Sequence, residues 1–185
     1  MKRMLAVSFF LVSVLFIHGQ KTHLSVGLVS AANQTETITP QETGHYGYKA
    51  GIDSRLIGKG LYVLGGIHYL NYSSAGQPER DFFNKESSFK ILKGRIGLGL
   101  TPFALTRFLK IRLKVLGGYS YILAGRSESG IQDLGKDYLG LDLGIGATIG
   151  LLTIDLEYEK STKGVIEGLT KSGFNIWSLS AGIEF

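Results

Sequence analysis

Two sets of ionisable residues stand out by their spacing. Lys93, Arg95, Lys110, Arg112 and Lys114 recur at alternate positions within two neighbouring stretches. Asp142, Asp155, Glu157, Glu159 and Glu184 fall on such positions further along the chain. On extended chain, alternate residues share a face. The chemistry available to these sets is mutual neutralisation, and charges taken out of water must be paired in this way. Other chemistries find little support. The chain has 0 Cys, so it offers no disulfide, thiolate ligand or thiol nucleophile. His23, His45 and His68 stand in separate segments with no metal-ligand spacing. There is no GxSxG, phosphate loop or HExxH, and pairs such as Gly97/Gly99 are strand alternation rather than nucleotide cradles. No catalytic residue, cofactor or metal is therefore expected. A Ser/His grouping near the long-loop end of the third run is His68 with Ser73 and Ser74 in HYLNYSSAG. A serine nucleophile needs its base within hydrogen-bond reach, and parity turns His68 onto the polar face.

Period-two alternation dominates everything after Gln20. The runs are about 23–30, 46–56, 61–72, 89–101, 109–123, 138–149, 152–158 and 174–185. In the fourth, Leu92, Ile96, Leu98 and Leu100 oppose Lys93, Arg95, Gly97 and Gly99. In the sixth, Leu139, Leu141, Leu143 and Ile145 oppose Gly140, Asp142, Gly144 and Gly146. The third run has the least clearly separated faces. Long polar gaps (31–45, 73–88, 124–137, 160–173) alternate with short ones (57–60, 102–108, 150–151). An up-and-down barrel with short turns at one end and long loops at the other gives this pattern. Runs of about 10 residues tilted at about 45° span the about 25 Å apolar band of such barrels.

A soluble barrel also alternates, with its apolar face inward. Three features argue for the reverse. The polar face carries Gly47, Gly51, Gly97, Gly99, Gly118, Gly140, Gly144, Gly146 and Gly182. Glycine gains nothing on a wetted sheet surface, but in a narrow lumen it makes room for long charged neighbours. Bulges account for a few of these glycines, hardly for all. Next, Tyr46, Tyr48, Tyr69, Tyr72, Tyr119, Tyr121, Tyr138 and Tyr158 fall at the long-loop end, with only Tyr62 at the other, where Phe103, Phe108 and Phe185 mark the rim. Such aromatics gather at membrane–water interfaces. Last, the basic arc of runs four and five and the acidic arc of runs six to eight face one another across the lumen of an eight-stranded barrel.

Ahead of the barrel, Lys2 and Arg3 precede an apolar stretch, Met4–Ile17, and then Gly19 and Gln20. This reads as a secretory signal peptide over residues 1–20, cleaved after Gly19 or Gln20; the stretch is short of the about 20 residues a spanning helix needs. No Cys follows it, which excludes a lipoprotein anchor. Of 20 basic residues, losing Lys2 and Arg3 leaves 18 against 15 acidic ones. That balance is too mild and too scattered for nucleic acid. Residues 21–185 form one domain.

The last run places Trp177, Leu179, Ala181, Ile183 and Phe185 on one face and ends on an aromatic. This resembles the C-terminal strand signal of bacterial outer-membrane β-barrels. The mature chain as a whole is similar to the small eight-stranded OmpX and OmpA-barrel type, in the porin-like family of outer membrane protein β-barrel domains. The resemblance implies export through the Sec pathway and recognition of Trp177, Leu179, Ile183 and Phe185 by the barrel-assembly machinery. It also implies residence in the outer membrane among lipid and lipopolysaccharide, with periplasmic turns and extracellular loops. The expected fold is an all-β, eight-stranded, antiparallel, up-and-down transmembrane barrel. Its lumen is closed by a network of Lys93, Arg95, Lys110, Arg112, Lys114, Asp142, Asp155, Glu157 and Glu184. The expected role is non-enzymatic: structural, surface-interacting or porin-family. Some barrels of this type are lipid A deacylases or acyltransferases with Ser and His near the outer rim. The residues around His68 depart from the deacylase pattern His-x-Ser-Asn. The other alternative is a soluble barrel carrying a hydrophobic ligand, which requires Leu141 to point inward. The loop residues Arg80, Asp81, Phe82, Phe83, Arg126 and Glu128 are candidates for surface contacts.

Overall fold

The computed structural model describes residues 21–34, 45–58, 60–73, 88–104, 109–124, 137–161 and 173–185. The signal-peptide segment, Ser74, Phe108 and the loop residues named above lie outside the described residues, as do the side chains of His45, Tyr72, Ser73 and Phe103.

Eight strands follow in order: β1 (Lys21–Gln34), β2 (His45–Gly58), β3 (Leu61–Ser73), β4 (Ser88–Ala104), β5 (Leu109–Ala124), β6 (Asp137–Ile149), β7 (Leu152–Ser161) and β8 (Gly173–Glu184). Each matches one alternating run, with its ends the same or shifted by a few residues. Each pairs antiparallel with its chain neighbours, and β1 pairs with β8 to close the barrel. At the seam, Thr22 and Phe185 exchange backbone hydrogen bonds of 2.8 and 2.9 Å. Closure leaves no sheet edge, so every strand satisfies its backbone from both sides. Two short connections reverse the chain through glycine in left-handed conformation, Gly58 (φ 99°) and Gly150 (φ 64°). A side chain there would be strained.

The faces are inverted relative to a soluble barrel. Leu141 is 44% exposed on the outside, while its neighbour Asp142 is 2% exposed on the inside. That overturns the soluble-carrier alternative, which required Leu141 inside. Leu24, Val26, Leu28, Ile96, Leu98, Val115, Leu143, Ile145, Ile154 and Leu179 are all exposed around the belt. An apolar surface running round the whole wall far exceeds the few hundred Å² a soluble monomer shows. Inside, buried polar and charged residues dominate.

Glycine makes this interior possible. In the strand register Asp53 sits opposite Gly66, His68 opposite Gly51, Tyr62 opposite Gly99, Arg95 opposite Gly118 and Asp155 opposite Gly146. A Cβ on Gly66 would overlap Asp53 Oδ1 and lie 2.6 Å from the Ile52 carbonyl oxygen. On Gly118 it would lie 2.6 Å from Lys93 Cε. Gly94, on the outer wall, has nothing within 4 Å of a Cβ. Gly66→Ala is therefore expected to destabilise the refolded barrel by about 1–3 kcal/mol through overpacking. Gly94→Ala should stay within about 0.5 kcal/mol. Parallel urea titrations of the two variants check this; equal effects would contradict the role assigned to the inward glycines.

Candidate functional site

The site is the lumen, and it is layered. Nearest the long connections, Val29, Ala31, Leu70, Ile91, Tyr138 and Ile176 form an apolar cluster, all at most 3% exposed. Below it lies a continuous set of ion pairs. Nearer the short turns, Tyr62, Leu64 and Leu116 form a second apolar cluster, and the Arg55 guanidinium stacks 3.8 Å above the Tyr62 ring.

Asp53 is the hub of the middle layer. Arg95 donates to it twice, from Nε at 2.9 Å and Nη2 at 2.6 Å. His68 Nε2 lies 3.0 Å from Asp53 Oδ1, and His23 Nδ1 lies 3.8 Å from Oδ2. The third Arg95 contact, Nη1 to Glu157 at 3.0 Å, reaches the far wall. Glu157 also accepts from Lys114 at 2.7 Å and from Lys49, which in turn donates to Ser178 at 2.8 Å. Toward the apolar seal, Lys93 bridges Asp142 at 2.6 Å and Glu159 at 2.9 Å. Toward the short turns, Arg112 grips Asp155 at 2.9 and 3.1 Å and Glu184 at 3.2 Å. Lys114 reaches Asp155 at 3.0 Å, and Lys21 pairs with Glu184 at the rim. His23 Nε2 pairs with Thr153 Oγ1, 3.7 Å short of Asp155.

Five buried cations (Lys49, Lys93, Arg95, Arg112, Lys114) thus meet six buried carboxylates (Asp53, Asp142, Asp155, Glu157, Glu159, Glu184). The near balance is what a lumen walled off from water requires, since an unpaired charge there is costly. Space is scarce. The cavity beside Lys93, Arg95 and Glu157 measures about 20 Å³, room for about one water.

The residues read from the sequence divide as follows. Lys93, Arg95, Arg112, Lys114, Asp142, Asp155, Glu157 and Glu184 come together in the lumen. Lys110 does not join them. It is half-buried near the short turns and enters no ion pair among the described residues, because the lumen opens there into a wider cavity. Tyr138 is a second correction: it is 2% exposed and fills the apolar seal rather than the interface girdle. Tyr46, Tyr119 and Tyr121 do face outward. His23 on β1 and His68 on β3 both lie beside Asp53. His68 is 2% exposed and lies inside the barrel. Lys49 and Asp53 were missed as network members, although parity alone placed them on the polar face; Glu159, read as one of the acidic set, joins through Lys93. At the C-terminus, Trp177, Leu179, Ile183 and Phe185 face outward, and Trp177 packs on Tyr158 with ring centroids 4.8 Å apart. Among the described residues no group of three or more His, Asp or Glu side chains has metal-site geometry.

No protein-family model matches the chain, and no curated protein matches it. Solved structures do. The crystal structure of the outer membrane enzyme PagL is similar over 88% of this chain and 98% of its own, at 14% identity and a TM-score of 0.57. Neisserial surface protein A (NspA) matches over 89% of this chain and 97% of its own, at 12% identity and a TM-score of 0.54. Ail, the attachment invasion locus protein of Yersinia pestis, aligns over 91% and 99%, at 17% identity and a TM-score of 0.49. At such identities the likeness is one of fold: the chain has the fold of small eight-stranded outer-membrane barrels.

Proposed function

We propose that this chain is an integral outer-membrane barrel with a closed lumen and a non-enzymatic role, structural or in surface interaction. The observation that carries this reading is the inversion of faces: Leu141 and its neighbours coat the wall while Asp142 and its partners fill the interior. Only an apolar solvent makes that arrangement the stable one. Residues 1–20 then act as the export signal for the Sec pathway and leave the mature chain at about Lys21. The short turns face the periplasm, the long connections face outward, and the wall contacts lipid and lipopolysaccharide. The outward row Trp177, Leu179, Ile183 and Phe185 is the segment offered to the barrel-assembly machinery.

An enzymatic reading draws on the fold shared with PagL. Against it, the histidine of the His68, Ser73 and Ser74 grouping is committed to Asp53 inside the barrel. Mass spectrometry of lipid A from cells with and without the protein decides between the two; altered acylation would overturn the non-enzymatic role.

Membrane insertion has its own test. The mature protein is expected to resist carbonate extraction and to migrate differently on gels before and after heating. A freely soluble monomer would sink the reading. Deleting Phe185 should cut the amount of barrel in the outer-membrane fraction several-fold, with unfolded chain accumulating in the periplasm. Unchanged yield would remove the assembly role from the last residue.

A further inference from the structure

At the short-turn end the lumen widens into a cavity of about 240 Å³, lined by Arg55, Thr101, Lys110, Arg112, Thr148 and Glu184. That is many times the about 10–15 Å³ that one water needs. Exposed Gly60 also lines it, so the cavity opens at the barrel end. Its charge is not balanced. Glu184 is met by Lys21, by Arg112 at 3.2 Å and by Arg55 at 3.9 Å. The other carboxylate that Arg112 reaches, Asp155, also carries Lys114 at 3.0 Å. Lys110 enters no ion pair among the described residues. Two of the lining residues hold an unsatisfied atom, Arg112 Nε and Thr148 Oγ1, with no hydrogen-bond partner among the described residues and closed off from the open volume. Their residues are only 4% and 3% exposed. A buried donor without an acceptor is costly, and native interiors rarely keep one without a reason.

We propose that this cavity is an oxyanion site that binds a phosphate group between Lys110, Arg112 and Thr148. A guanidinium N–H, an ammonium and a hydroxyl are the donor set that a tetrahedral oxyanion accepts from, charge assistance strengthens each bond, and a small turn of the Arg112 and Thr148 side chains brings theirs to the ligand. Thr101 supplies a further hydroxyl on the cavity wall. Glu184 is neutralised by the cations around it, so it does not repel the ligand. The phosphate can come from two sources of the same chemistry. One is a free phosphate or phosphomonoester in the aqueous space at the short turns. The other is the headgroup of a phospholipid bordering that rim, and only this second source rests on membrane insertion.

The test uses the folded 21–185 barrel with labelled backbone amides. In a maltoside detergent, inorganic phosphate is titrated at constant ionic strength against chloride. In a second arm, bilayer discs of phosphatidylglycerol are compared with discs of a phosphate-free glycolipid. Saturable amide shifts around Lys110, Arg112 and Thr148 are expected in one arm or the other. Shifts with inorganic phosphate identify a free oxyanion; shifts only with phosphatidylglycerol identify a headgroup. Lys110→Gln with Thr148→Val keeps side-chain volume and should weaken binding about tenfold or more by removing two donors. Absence of saturable shifts in both arms, or equal binding by a heat-modifiable, correctly folded double variant, would overturn the site.

Discussion

Replacing Arg95 by alanine is expected to lower the unfolding free energy of the barrel by about 3–5 kcal/mol, the cost of stranding a buried partner charge. Arg95, on β4, ties two other strands together across the lumen, holding Asp53 on β2 through two hydrogen bonds and Glu157 on β7 through a third. Its removal leaves Asp53 with only histidines beside it, while Glu157 keeps Lys49 and Lys114. The main penalty therefore falls on Asp53, which is 1% exposed. This makes a specific demand on a double substitution. Arg95→Ala with Asp53→Asn should recover part of the loss, because the stranded charge goes with it. Trp177, the only tryptophan, sits on the outer wall and reports unfolding by fluorescence in urea. A shift of less than about 0.5 kcal/mol for Arg95→Ala would place it among ordinary surface changes and remove it from the centre of the network.

The second large effect concerns transport. Liposomes carrying the purified protein are expected to show negligible uptake of sugar-sized solutes. Water-filled porins have about 16–18 strands, whereas eight leave a lumen that side chains can fill. This lumen is closed twice, by the ion-pair layer and by the apolar seal of Val29, Ala31, Leu70, Ile91, Tyr138 and Ile176. Arg112→Ala with Lys114→Ala strands Asp155 and should lower thermal stability clearly. The seal lies nearer the other end of the barrel and should still hold back solutes. Adding Leu70→Ser, Ile91→Ser and Ile176→Ser should then raise ion conductance well above that of the unsubstituted protein. Size-dependent sugar uptake by the unsubstituted protein would overturn the closed lumen. High conductance from the Arg112/Lys114 pair alone would show that the seal contributes nothing.

Strand number, strand order and the assignment of faces were legible in the sequence because each is written with period two. Once Leu141 and Asp142 are known to lie on opposite faces, so is every residue of β6, and the same holds strand by strand. The glycine-rich polar face could be read for the same reason, since a narrow interior filled with lysine and arginine must have small residues beside them. What period two does not encode is the height at which each side chain meets another strand. That depends on the register of eight pairings, which the polar face alone does not fix. Runs four and five against runs six to eight gave the acidic and basic arcs, but left out Asp53 on β2, which takes the strongest grip of Arg95. His23 and His68 are 45 positions apart in sequence, and only the closed barrel brings both to that carboxylate. Lys110 follows the alternation of Arg112 and Lys114, yet at its height the lumen has opened into a cavity, so parity placed it correctly and its pairing failed. The apolar seal was hidden too. Val29, Leu70, Ile91 and Ile176 look like lapses in alternation when read one strand at a time. Their meaning comes from meeting at one level of the lumen, where each buries its surface against the others, a contact that exists only after the eighth strand has closed on the first.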